Sequence, residues 1–323
     1  MAAVHKPLAV PPVEILKSRF RDELKVNEPL GPYTTFGIGG PADFFVRART
    51  PEMLVWAYNS ARELGLRYFI LGGGSNILVG DDGFRGLVIR SELTEMLRDG
   101  DRVTVGSGVK FDALVDWAAD HNLEGLAFAA GIAGSVGGAI YGNAGCYGRE
   151  IGDLVVEATL MTPSGELKIA DREYCGFRYR HSRLKDSGDI VLTVTLQLRP
   201  GDREQVRKEA DEHRQHRALR HPTNDCSAGC FFKNIEDAGA PHGKIAAGQL
   251  LEQVGAKTER EGGAAVHAGH ANILINAGGA TAEEVLTLAR RLRRKVKDKL
   301  GYELSREIIY LGPLGPEPER WED

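Results

Sequence analysis

The chain has 323 residues, a length that suits two or three domains. Hydrophobic residues make up 42% of it and charged residues 27%, the proportions of an ordinary globular protein. The net charge of -4 gives no electrostatic reason to expect nucleic acid or an anionic membrane surface as a partner. The basic run "RRLRRKVKDK" has helical spacing and no interleaved aromatic residues, which favours a solvated helix face over a nucleic-acid site.

The sequence carries no signal for membrane insertion, secretion or a disulfide framework. No apolar run approaches the ~20 residues of a membrane span, and the proline-broken N-terminus lacks the apolar core of a secretory signal. Cys146, Cys175, Cys226 and Cys230 do not form a disulfide framework in a chain of this size. We therefore expect reduced thiols and a cytoplasmic protein.

The N-terminal part of the chain predicts a leader, helices and strands in that order. Residues 1–14 read as a disordered leader, and a short amphipathic helix is expected around residues 15–24. The stretch "TPEMLVWAYNSARELG" predicts a helix with Thr50 as N-cap, Pro51 at the first helical position and Gly65 as terminator. The runs "RYFILGGGSNILV", "RGLVIR" and "RVTVGSG" predict strands, and "KFDALVDWAADHNL" predicts another amphipathic helix.

The middle of the chain changes character. Residues 125–148 are almost all small, "VVEATLMTPSGELKIA" predicts a hairpin turning at residues 163–165, and "DIVLTVTLQL" predicts a strand. The stretch "REQVRKEADEHRQHRALR" has few apolar residues, so it predicts an exposed connecting helix at a domain boundary.

The C-terminal part predicts its own set of elements. A helix is expected in "GKIAAGQLLEQVGAK" and a strand in "HANILIN". Thr281 begins a long helix through a capping box with Glu284, and Gly301 ends it. This helix has one apolar stripe of four residues, Val285, Leu288, Leu292 and Val296. "YELSREIIYLG" predicts a closing strand, and the irregular mixture of helices and strands predicts an α+β fold.

Three common nucleotide and hydrolase motifs are excluded, one by the strand that follows it and two by single residues. The run "GIGGPA" from Gly37 leads into the strand "DFFVRA", whereas a dinucleotide fingerprint needs a helix N-terminus. "HGKI" has Ile245 where a P-loop requires Ser or Thr, and "AGSVG" has Ala133 at the first glycine of a nucleophile elbow.

Two glycine clusters are the first candidates for a ligand site. "LGGGSNILV", residues 71–79, leaves backbone N–H groups free to face an anion, and "GIAGSVGGAIYGNAG" lets the backbone lie flat against a large ligand. Tight turns and close sheet packing are the alternative for either cluster alone. Together with "TTFGIGG" the two clusters predict a long, planar, phosphate-bearing ligand that lies across several loops.

Two further stretches contain candidate reactive residues. In "CGFRYRHSRLKDSG", Arg178 and Arg180 alternate with aromatic residues, so an exposed strand face explains them as well as a site does. Glu307 precedes an apolar strand, where a salt bridge is the simpler explanation.

The spacing of cysteines and histidines raises zinc as a rival explanation. Thiolates and imidazoles are zinc ligands, and five such residues lie close in sequence: His213, His216, His221, Cys226 and Cys230. The marginal C-x3-C spacing, the lack of a second knuckle and the Phe231-Phe232 pair argue instead for a strand that enters a core. We therefore expect no metal.

The motifs in combination resemble the UDP-N-acetylenolpyruvoylglucosamine reductase family. The matching pieces are "YTTFGIGGPAD", "LGGGSNILV", "GLAFAAGIAGSVGGAIYGNAGCYG", "FRYRHS", "AGCFFKN", "GGAAVHAGHANILIN" and "LSREIIYLG", in this order from about residue 30 to 312. The resemblance implies an FAD-binding fold of the vanillyl-alcohol oxidase and p-cresol methylhydroxylase type, plus a smaller α+β substrate-binding domain. The path from residue 198 to 226 is short and has no tyrosine, so the chain resembles the family's shorter form.

The resemblance implies the activity and the ligands. These are the NADPH-dependent reduction of UDP-N-acetylglucosamine enolpyruvate to UDP-N-acetylmuramate through FAD, for peptidoglycan synthesis. Separately from the resemblance, we expect a monomer. Another FAD-dependent oxidase or dehydrogenase on the same scaffold, or a zinc-stabilised nucleotide-binding protein, is the alternative. The implied FAD contacts are Gly72, Gly73, Gly74, Ser75, Asn76, Gly134, Ser135, Gly137, Gly138 and Asn143.

The resemblance also implies the reaction residues. Arg180 matches the arginine that binds the enolpyruvyl carboxylate, Glu307 the glutamate that helps to polarise it, and Cys230 the proton donor, which is serine in many members. Lys233, Asn234 and His270 match substrate contacts. Two departures, Ile235 for a proline and Ile309 for an arginine, leave these residues in place.

The implied domain boundaries follow the same resemblance. They are a leader over 1–14, FAD-binding subdomains over 15–95 and 96–205, a connecting helix over 206–220, a substrate-binding domain over 221–312 and a tail over 313–323.

Overall fold

The computed structural model describes residues 10–219, 221, 226–240 and 243–319, so most of the predicted leader lies outside the described residues. The α-helices are α1 Pro12–Phe20, α2 Pro51–Glu63, α3 Phe111–Asp120, α4 Val136–Gly142, α5 Arg172–Cys175, α6 Leu184–Ser187, α7 Arg203–Ala218, α8 Ala247–Gln253 and α9 Ala282–Leu300. Short 3-10 turns occur at Arg21–Glu23, Gly31–Tyr33, Ala127–Ala129, Ile151–Asp153 and Ala256–Thr258.

The strands form separate sheets along the chain. Those before residue 150 are β1 Leu24–Pro29, β2 Pro41–Ala48, β3 Tyr68–Leu71, β4 Ile77–Val79, β5 Phe84–Ser91, β6 Met96–Asp99, β7 Arg102–Gly106, β8 Leu123–Glu124, β9 Gly145–Cys146 and β10 Arg149–Glu150. Those after it are β11 Val155–Met161, β12 Leu167–Asp171, β13 Ile190–Gln197, β14 Arg199–Pro200, β15 Cys226–Cys230, β16 Ile235–Glu236, β17 Lys244–Ile245, β18 Arg260–Glu261, β19 Ala264–Val266, β20 Ile273–Asn276, β21 Ile309–Gly312 and β22 Gly315–Pro316.

The first sheet has the order β1-β2-β5-β3, and β5 runs parallel to both of its neighbours. Helix α2 makes the crossover between β2 and β3, and its start is as predicted: the Thr50 hydroxyl accepts the Met53 N–H at 3.2 Å. Gly65 follows the helix with φ 63°. The preceding helix is shifted from its expected place, because α1 begins at Pro12 and residue 24 already starts β1.

The second sheet has the order β12-β11-β13-β7-β6 and is antiparallel throughout. The hairpin between β11 and β12 turns where the sequence predicts, with Gly165 at φ 89°. Burial alternates from Leu192 to Leu196 of β13, as its strand pattern predicts, and the two residues before them are buried as well. Helices α3 and α4 share one apolar core with this sheet, and α4 carries the second glycine cluster.

Helix α7 is largely exposed, as expected, but it also packs on α3. Val206 and Ala210 are buried, and Arg214 pairs with Asp112 at 3.0 Å and Asp116 at 2.6 Å on α3. A helix with few apolar residues is thus fixed to α3 by two buried apolar residues and a partly buried ion-pair cluster.

The C-terminal part forms the sheet β15-β20-β19-β18 against α8 and α9. The predicted capping box of Thr281 and Glu284 is present, the four stripe residues of α9 are buried, and Gly301 ends the helix at φ 76°. Asp81 also accepts the first N–H groups of α9, at 2.8 and 3.1 Å. Strand β21 then pairs in parallel with β4, which joins this unit to the first one.

Candidate active site

Three glycine-rich loops meet backbone to backbone. A Cβ on Gly73 would lie 2.6 Å from the Cα of Gly134, and a Cβ on Gly74 would lie 2.1 Å from the Tyr33 carbonyl oxygen. The Ser75 hydroxyl donates to the Ala133 carbonyl at 3.0 Å. The loops around residues 33–40, 72–76 and 133–138 therefore form one continuous surface whose inner layer excludes larger side chains.

Ser135 connects two of these loops at the start of α4. Its hydroxyl accepts the Gly73 N–H at 3.3 Å and the Gly138 N–H at 3.4 Å. A Cβ on Gly72 would lie 2.4 Å from the same hydroxyl oxygen, and a Cβ on Gly137 would lie 2.7 Å from the Ser107 Cβ. These glycines are required by close contacts within the protein itself.

Gly138 differs from the other glycines of the cluster. A Cβ there would meet only the Ser135 hydroxyl, at 3.6 Å, and one on Gly142, a turn further along α4, would meet nothing within 4 Å. Since no protein contact requires glycine at these two positions, this bare face of α4 is open to a flat ligand.

Two predicted cofactor residues also brace the protein. Asn143, buried at φ 47°, accepts the Gly152 N–H at 3.1 Å and donates to the Arg178 carbonyl at 2.9 Å. The Asn76 carbonyl accepts the Ile309 N–H at 3.0 Å, and the Asn76 side-chain amide donates to the Glu307 carbonyl at 3.4 Å. Asn143 and Asn76 thus connect the glycine loops to the segments that carry Arg180 and Glu307.

The segment around Arg180 is a tight turn, and its prediction as a strand is wrong. Arg178 and His181 exchange backbone hydrogen bonds at 2.9 and 3.0 Å, and Arg180 between them adopts φ 53°. Left-handed backbone is rare for a residue with a long side chain and clusters at functional sites. The turn directs the guanidinium inward, where Nη1 donates to the Gly145 carbonyl at 3.2 Å.

Arg180 pairs with Glu307, the most distant of its predicted partners in sequence. Nε of Arg180 lies 2.8 Å from Oε1 of Glu307, and the two side chains are 32% and 17% exposed. The Glu307 N–H donates to the Phe231 carbonyl at 2.8 Å, which places Glu307 beside the strand that ends at Cys230.

The Phe231-Phe232 pair enters the core as the sequence predicts, and both rings are 1% exposed. Asn272 fixes this backbone: its Oδ1 accepts the Phe232 N–H at 2.9 Å, and its Nδ2 donates to the Phe232 carbonyl at 2.8 Å. Cys230, the preceding residue, is therefore held at the edge of the core, next to Glu307.

The electrostatics of the site favour a neutral thiol beside a carboxyl group whose pKa is raised. Burial and the charge of Glu307 raise the pKa of Cys230 to about 11, although Arg180 and Arg217 act in the opposite direction. Burial also raises the pKa of Glu307, while Arg180, Lys185 and Lys233 oppose that shift. Several cations thus surround a single carboxylate, an arrangement suited to an incoming anion.

Two of the three predicted substrate residues, Lys233 and Asn234, lie beside this cluster: the Lys233 charge acts on Glu307, and Asn234 interacts with the Tyr179 hydroxyl. Exposed Lys233 is fixed by its N–H to the Ser305 carbonyl at 2.8 Å, and Asn234 accepts the Ala247 N–H at the start of α8 at 3.1 Å. His270 accepts the Asn272 N–H at 3.2 Å, and burial lowers its pKa. Tyr179 is close enough for the charges of Arg180 and Glu307 to act on its pKa, in opposite directions. The centroid of its ring lies 3.0 Å from the Lys244 ammonium.

Sequence reasoning missed Tyr179, Lys185 and Lys244. The first two lie in the stretch "CGFRYRHSRLKDSG", where strand alternation assigns Tyr179 to the face opposite Arg180. In the turn, the side chains of Tyr179 and Arg180 instead lie on the same side, with the Arg180 guanidinium 5.6 Å from the Tyr179 ring centroid. The sequence signal for Tyr179 and Lys185 was their closeness to Arg180, whereas Lys244 is distant from Arg180 in the sequence and carried no such signal.

The cysteine and histidine spacing does not assemble a metal site in the part of the chain that the structure describes. No three His, Cys, Asp or Glu side chains converge there as metal ligands. His213 instead stacks on Tyr147 with ring centroids 4.2 Å apart. Cys226 is exposed beside the first glycine loop, 3.5 Å from where a Cβ on Gly37 would lie. All four cysteines are free.

None of the helices described is both long and apolar enough to cross a membrane.

Two family models match the chain. One is "UDP-N-acetylenolpyruvoylglucosamine reductase, C-terminal domain" over residues 221–311, and the other is "FAD binding domain" over residues 42–171.

Curated relatives match nearly the whole chain. The UDP-N-acetylenolpyruvoylglucosamine reductase of Moorella thermoacetica is 40% identical over 298 residues, which cover 92% of this chain and 96% of that protein. The protein of the same name from Geobacter metallireducens is 39% identical and covers 92% and 97%. The crystal structure of the Thermus caldophilus reductase aligns with a TM-score of 0.74 at 34% identity, over 89% of this chain and 98% of that one.

Proposed function

Because this chain belongs to the UDP-N-acetylenolpyruvoylglucosamine reductase family, we propose that Arg180, Cys230 and Glu307 carry out the family's reaction in it. The chain is an FAD-dependent oxidoreductase with an α+β fold of the vanillyl-alcohol oxidase and p-cresol methylhydroxylase type. It reduces UDP-N-acetylglucosamine enolpyruvate to UDP-N-acetylmuramate with NADPH, a step of peptidoglycan precursor synthesis. The observation that carries the proposal is the 2.8 Å pair of Arg180 and Glu307 beside a neutral Cys230 thiol.

The glycine loops suit FAD, because they form a backbone surface that a Cβ on Gly72, Gly73 or Gly74 would disrupt. Ser75, Asn76, Gly134, Ser135, Gly137, Gly138 and Asn143 complete the set of residues that would hold FAD. Bound FAD supplies the carrier that passes a hydride equivalent from NADPH to the enolpyruvyl double bond. The bare face of α4 at Gly138 is the part of the surface where a flat ring system is not opposed by protein atoms.

Arg180 binds the enolpyruvyl carboxylate in this proposal. Its guanidinium is preorganised by the Gly145 carbonyl at 3.2 Å and by Glu307 at 2.8 Å. A carboxylate that arrives beside Glu307 favours the protonated form of Glu307, because like charges repel at short distance. Burial already raises the pKa of Glu307, so the substrate completes a shift that the fold begins.

Cys230 delivers the proton that balances the reaction. The double bond gains a hydride at C3 and a proton at C2, and the C2 proton comes from the Sγ–H bond of Cys230. With a pKa of about 11, the thiol holds its proton at neutral pH and is ready to donate. Proton donation leaves a thiolate close to the guanidinium of Arg180, which stabilises it until solvent returns the proton.

Lys233, Asn234 and His270 bind the nucleotide and sugar in this proposal. Lys233 is exposed, and it is near enough to Glu307 for its charge to lower the pKa of that carboxyl. Its ammonium is therefore available to a diphosphate at the entrance of the site. Burial keeps the His270 imidazole neutral, which suits hydrogen bonding to an uncharged sugar or base.

The proposed domains follow the sheets. Subdomains over 15–95 and 96–205 correspond to the first and second sheets, 206–220 to most of α7, and 221–312 to the third sheet with α8 and α9. We further propose a monomer in the cytoplasm without membrane or nucleic-acid partners, in keeping with four free cysteines and a net charge of -4. Light scattering on the purified holoenzyme tests the monomer.

An anaerobic single-turnover experiment tests the function. The flavin of the purified protein is bleached with NADPH, and UDP-N-acetylglucosamine enolpyruvate is then added while the flavin band is followed. Recovery of the oxidised spectrum is expected, and UDP-N-acetylglucosamine without the enolpyruvyl group is the matched control. A flavin that bleaches but never recovers with this substrate overturns the proposal.

A further inference from the structure

Lys185 contacts the turn that carries Arg180, although the sequence analysis assigns it no role. Its Nζ donates to the Arg180 main-chain carbonyl at 2.8 Å. We propose that Lys185 is a positioning residue, which holds Arg180 in the orientation that binds the substrate carboxylate. The inference rests on the role of Arg180 in the proposed function.

The turn needs such a partner. Arg180 has φ 53°, a backbone conformation that is unfavourable for any residue with a Cβ. Strained conformations persist when the surrounding contacts over-determine them. The N–H of this peptide, that of His181, donates to the Arg178 carbonyl at 3.0 Å. Within the described residues we find no other hydrogen bond to the Arg180 carbonyl, so the Lys185 ammonium is what fixes the carbonyl side of the peptide.

Lys185 is itself held firmly. The neighbouring Leu184 is fully buried, and the buried Ser182 hydroxyl donates to the Tyr141 carbonyl at 2.7 Å. The Lys185 ammonium lies 5.5 Å from the centroid of the Tyr141 ring, within the range of a cation–π contact. The residue therefore connects the Arg180 turn to α4, the helix that carries Gly138.

The charges around Lys185 show that it is not an ordinary structural donor. Burial and the nearby charge of Lys233 lower its pKa, and Arg180 acts in the same direction. Glu307 and Asp186 oppose this shift. A neutral donor would bind the carbonyl without repelling two cations, so a lysine here is better explained by an anion that the cluster receives.

Removing the ammonium should impair use of the enolpyruvyl substrate selectively. Lys185→Met keeps much of the volume, and misplacement of Arg180 by ~1 Å is expected to lower kcat/KM for this substrate about 10²-fold. The rate at which NADPH bleaches the flavin should not change, because NADPH carries no enolpyruvyl carboxylate. Lys185→Arg, which keeps a cationic donor, should recover to within about tenfold of the wild type.

A double-mutant cycle on the holoenzyme tests whether Lys185 acts through Arg180. We expect Arg180→Met alone and Arg180→Met with Lys185→Met to reoxidise the reduced flavin at the same rate. Losses that multiply would show that Lys185 acts independently of Arg180 and overturn the inference. Lys168→Met is the matched control, since Lys168 is another half-buried lysine, 3.4 Å from the Tyr174 ring centroid, outside the site.

The pH profile separates positioning from general loss of structure. Removing a cation near Glu307 raises the pKa of that carboxyl further, so the alkaline limb of kcat/KM should move to higher pH in Lys185→Met. An unmoved limb, or full activity of Lys185→Met, overturns the inference alone. Full activity of Arg180→Met overturns the proposed function instead.

If Lys185→Met does not retain FAD, the same double-mutant cycle is run with Lys185→Gln. Multiplicative losses, or a rate that Lys185→Gln leaves unchanged, again overturn the inference.

Discussion

Replacing Cys230 by alanine should stop the protonation half of the reaction and leave the rest intact. Burial and Glu307 raise the pKa of Cys230 to about 11, so at pH 8 only about 0.1% of the thiol is ionised and the proton donor is loaded. Removal of a positioned general acid costs roughly 10² to 10⁴ in rate. We expect Cys230→Ala to lose that factor in the step in which substrate reoxidises the reduced flavin.

The assay is anaerobic stopped-flow absorbance on both halves of the cycle. Bleaching by NADPH should be as fast in Cys230→Ala as in the wild type, and recovery with UDP-N-acetylglucosamine enolpyruvate should be slow. Cys230→Ser is the matched control, because its hydroxyl can donate a proton from the same position, and it should retain much of the rate. Wild-type recovery in the alanine variant would refute the role of Cys230.

The raised pKa makes a second, independent test possible. At pH 7.5 a thiol with a pKa of about 11 carries roughly 300-fold less thiolate than an ordinary cysteine, so iodoacetamide should modify Cys230 slowly. The exposed Cys226 should react first, without loss of activity. Fast inactivation that mass spectrometry traces to Cys230 would contradict the neutral thiol.

Three further predictions follow from the geometry. Gly138→Ala should raise the Tm of the apoprotein, because alanine is the better helix former and no clash opposes it. The same variant should retain less FAD, as measured by the visible spectrum, and full retention would contradict the open face of α4. Burial raises the pKa of Glu307, and the proposed reaction uses its protonated form, so activity should fall as pH rises through that pKa. The pH profile of Glu307→Gln should lack this alkaline fall, and an unchanged fall would assign it to another group. Asn272→Ala should leave the buried Phe232 N–H and carbonyl unpaired and cost about 2 kcal/mol in urea unfolding; a smaller loss than Asn276→Ala would contradict that clamp.

Elements defined by local chemistry could be predicted from the sequence. The caps of α2 and α9 lie within three residues of the groups they bind, so Thr50, Thr281 and Glu284 were readable without the fold. The same holds for the hairpin turn at Gly165 and for the glycine clusters, where the residue type itself reports close backbone approach.

The connection between the units depended on partners that no local pattern specifies. Helix α7 reads as a polar connection, because its binding to α3 uses Arg214 and acidic residues about 100 positions earlier. Asp81 binds the start of α9 across 201 residues, again without a signal in its own neighbourhood.

The sequence by itself determined the family and the cofactor, because its motifs follow one another in the order found in that family. The same motifs contain Arg180, Cys230 and Glu307, the three residues proposed to carry out the reaction. Only the tertiary structure decided that the Arg180 segment is a left-handed turn, since alternation of polar and aromatic residues favours a strand locally. It also decided the raised pKa values of Cys230 and Glu307 and the contact of Lys185. Those properties depend on burial and on charges brought together from distant parts of the chain, and a linear sequence does not state these distances.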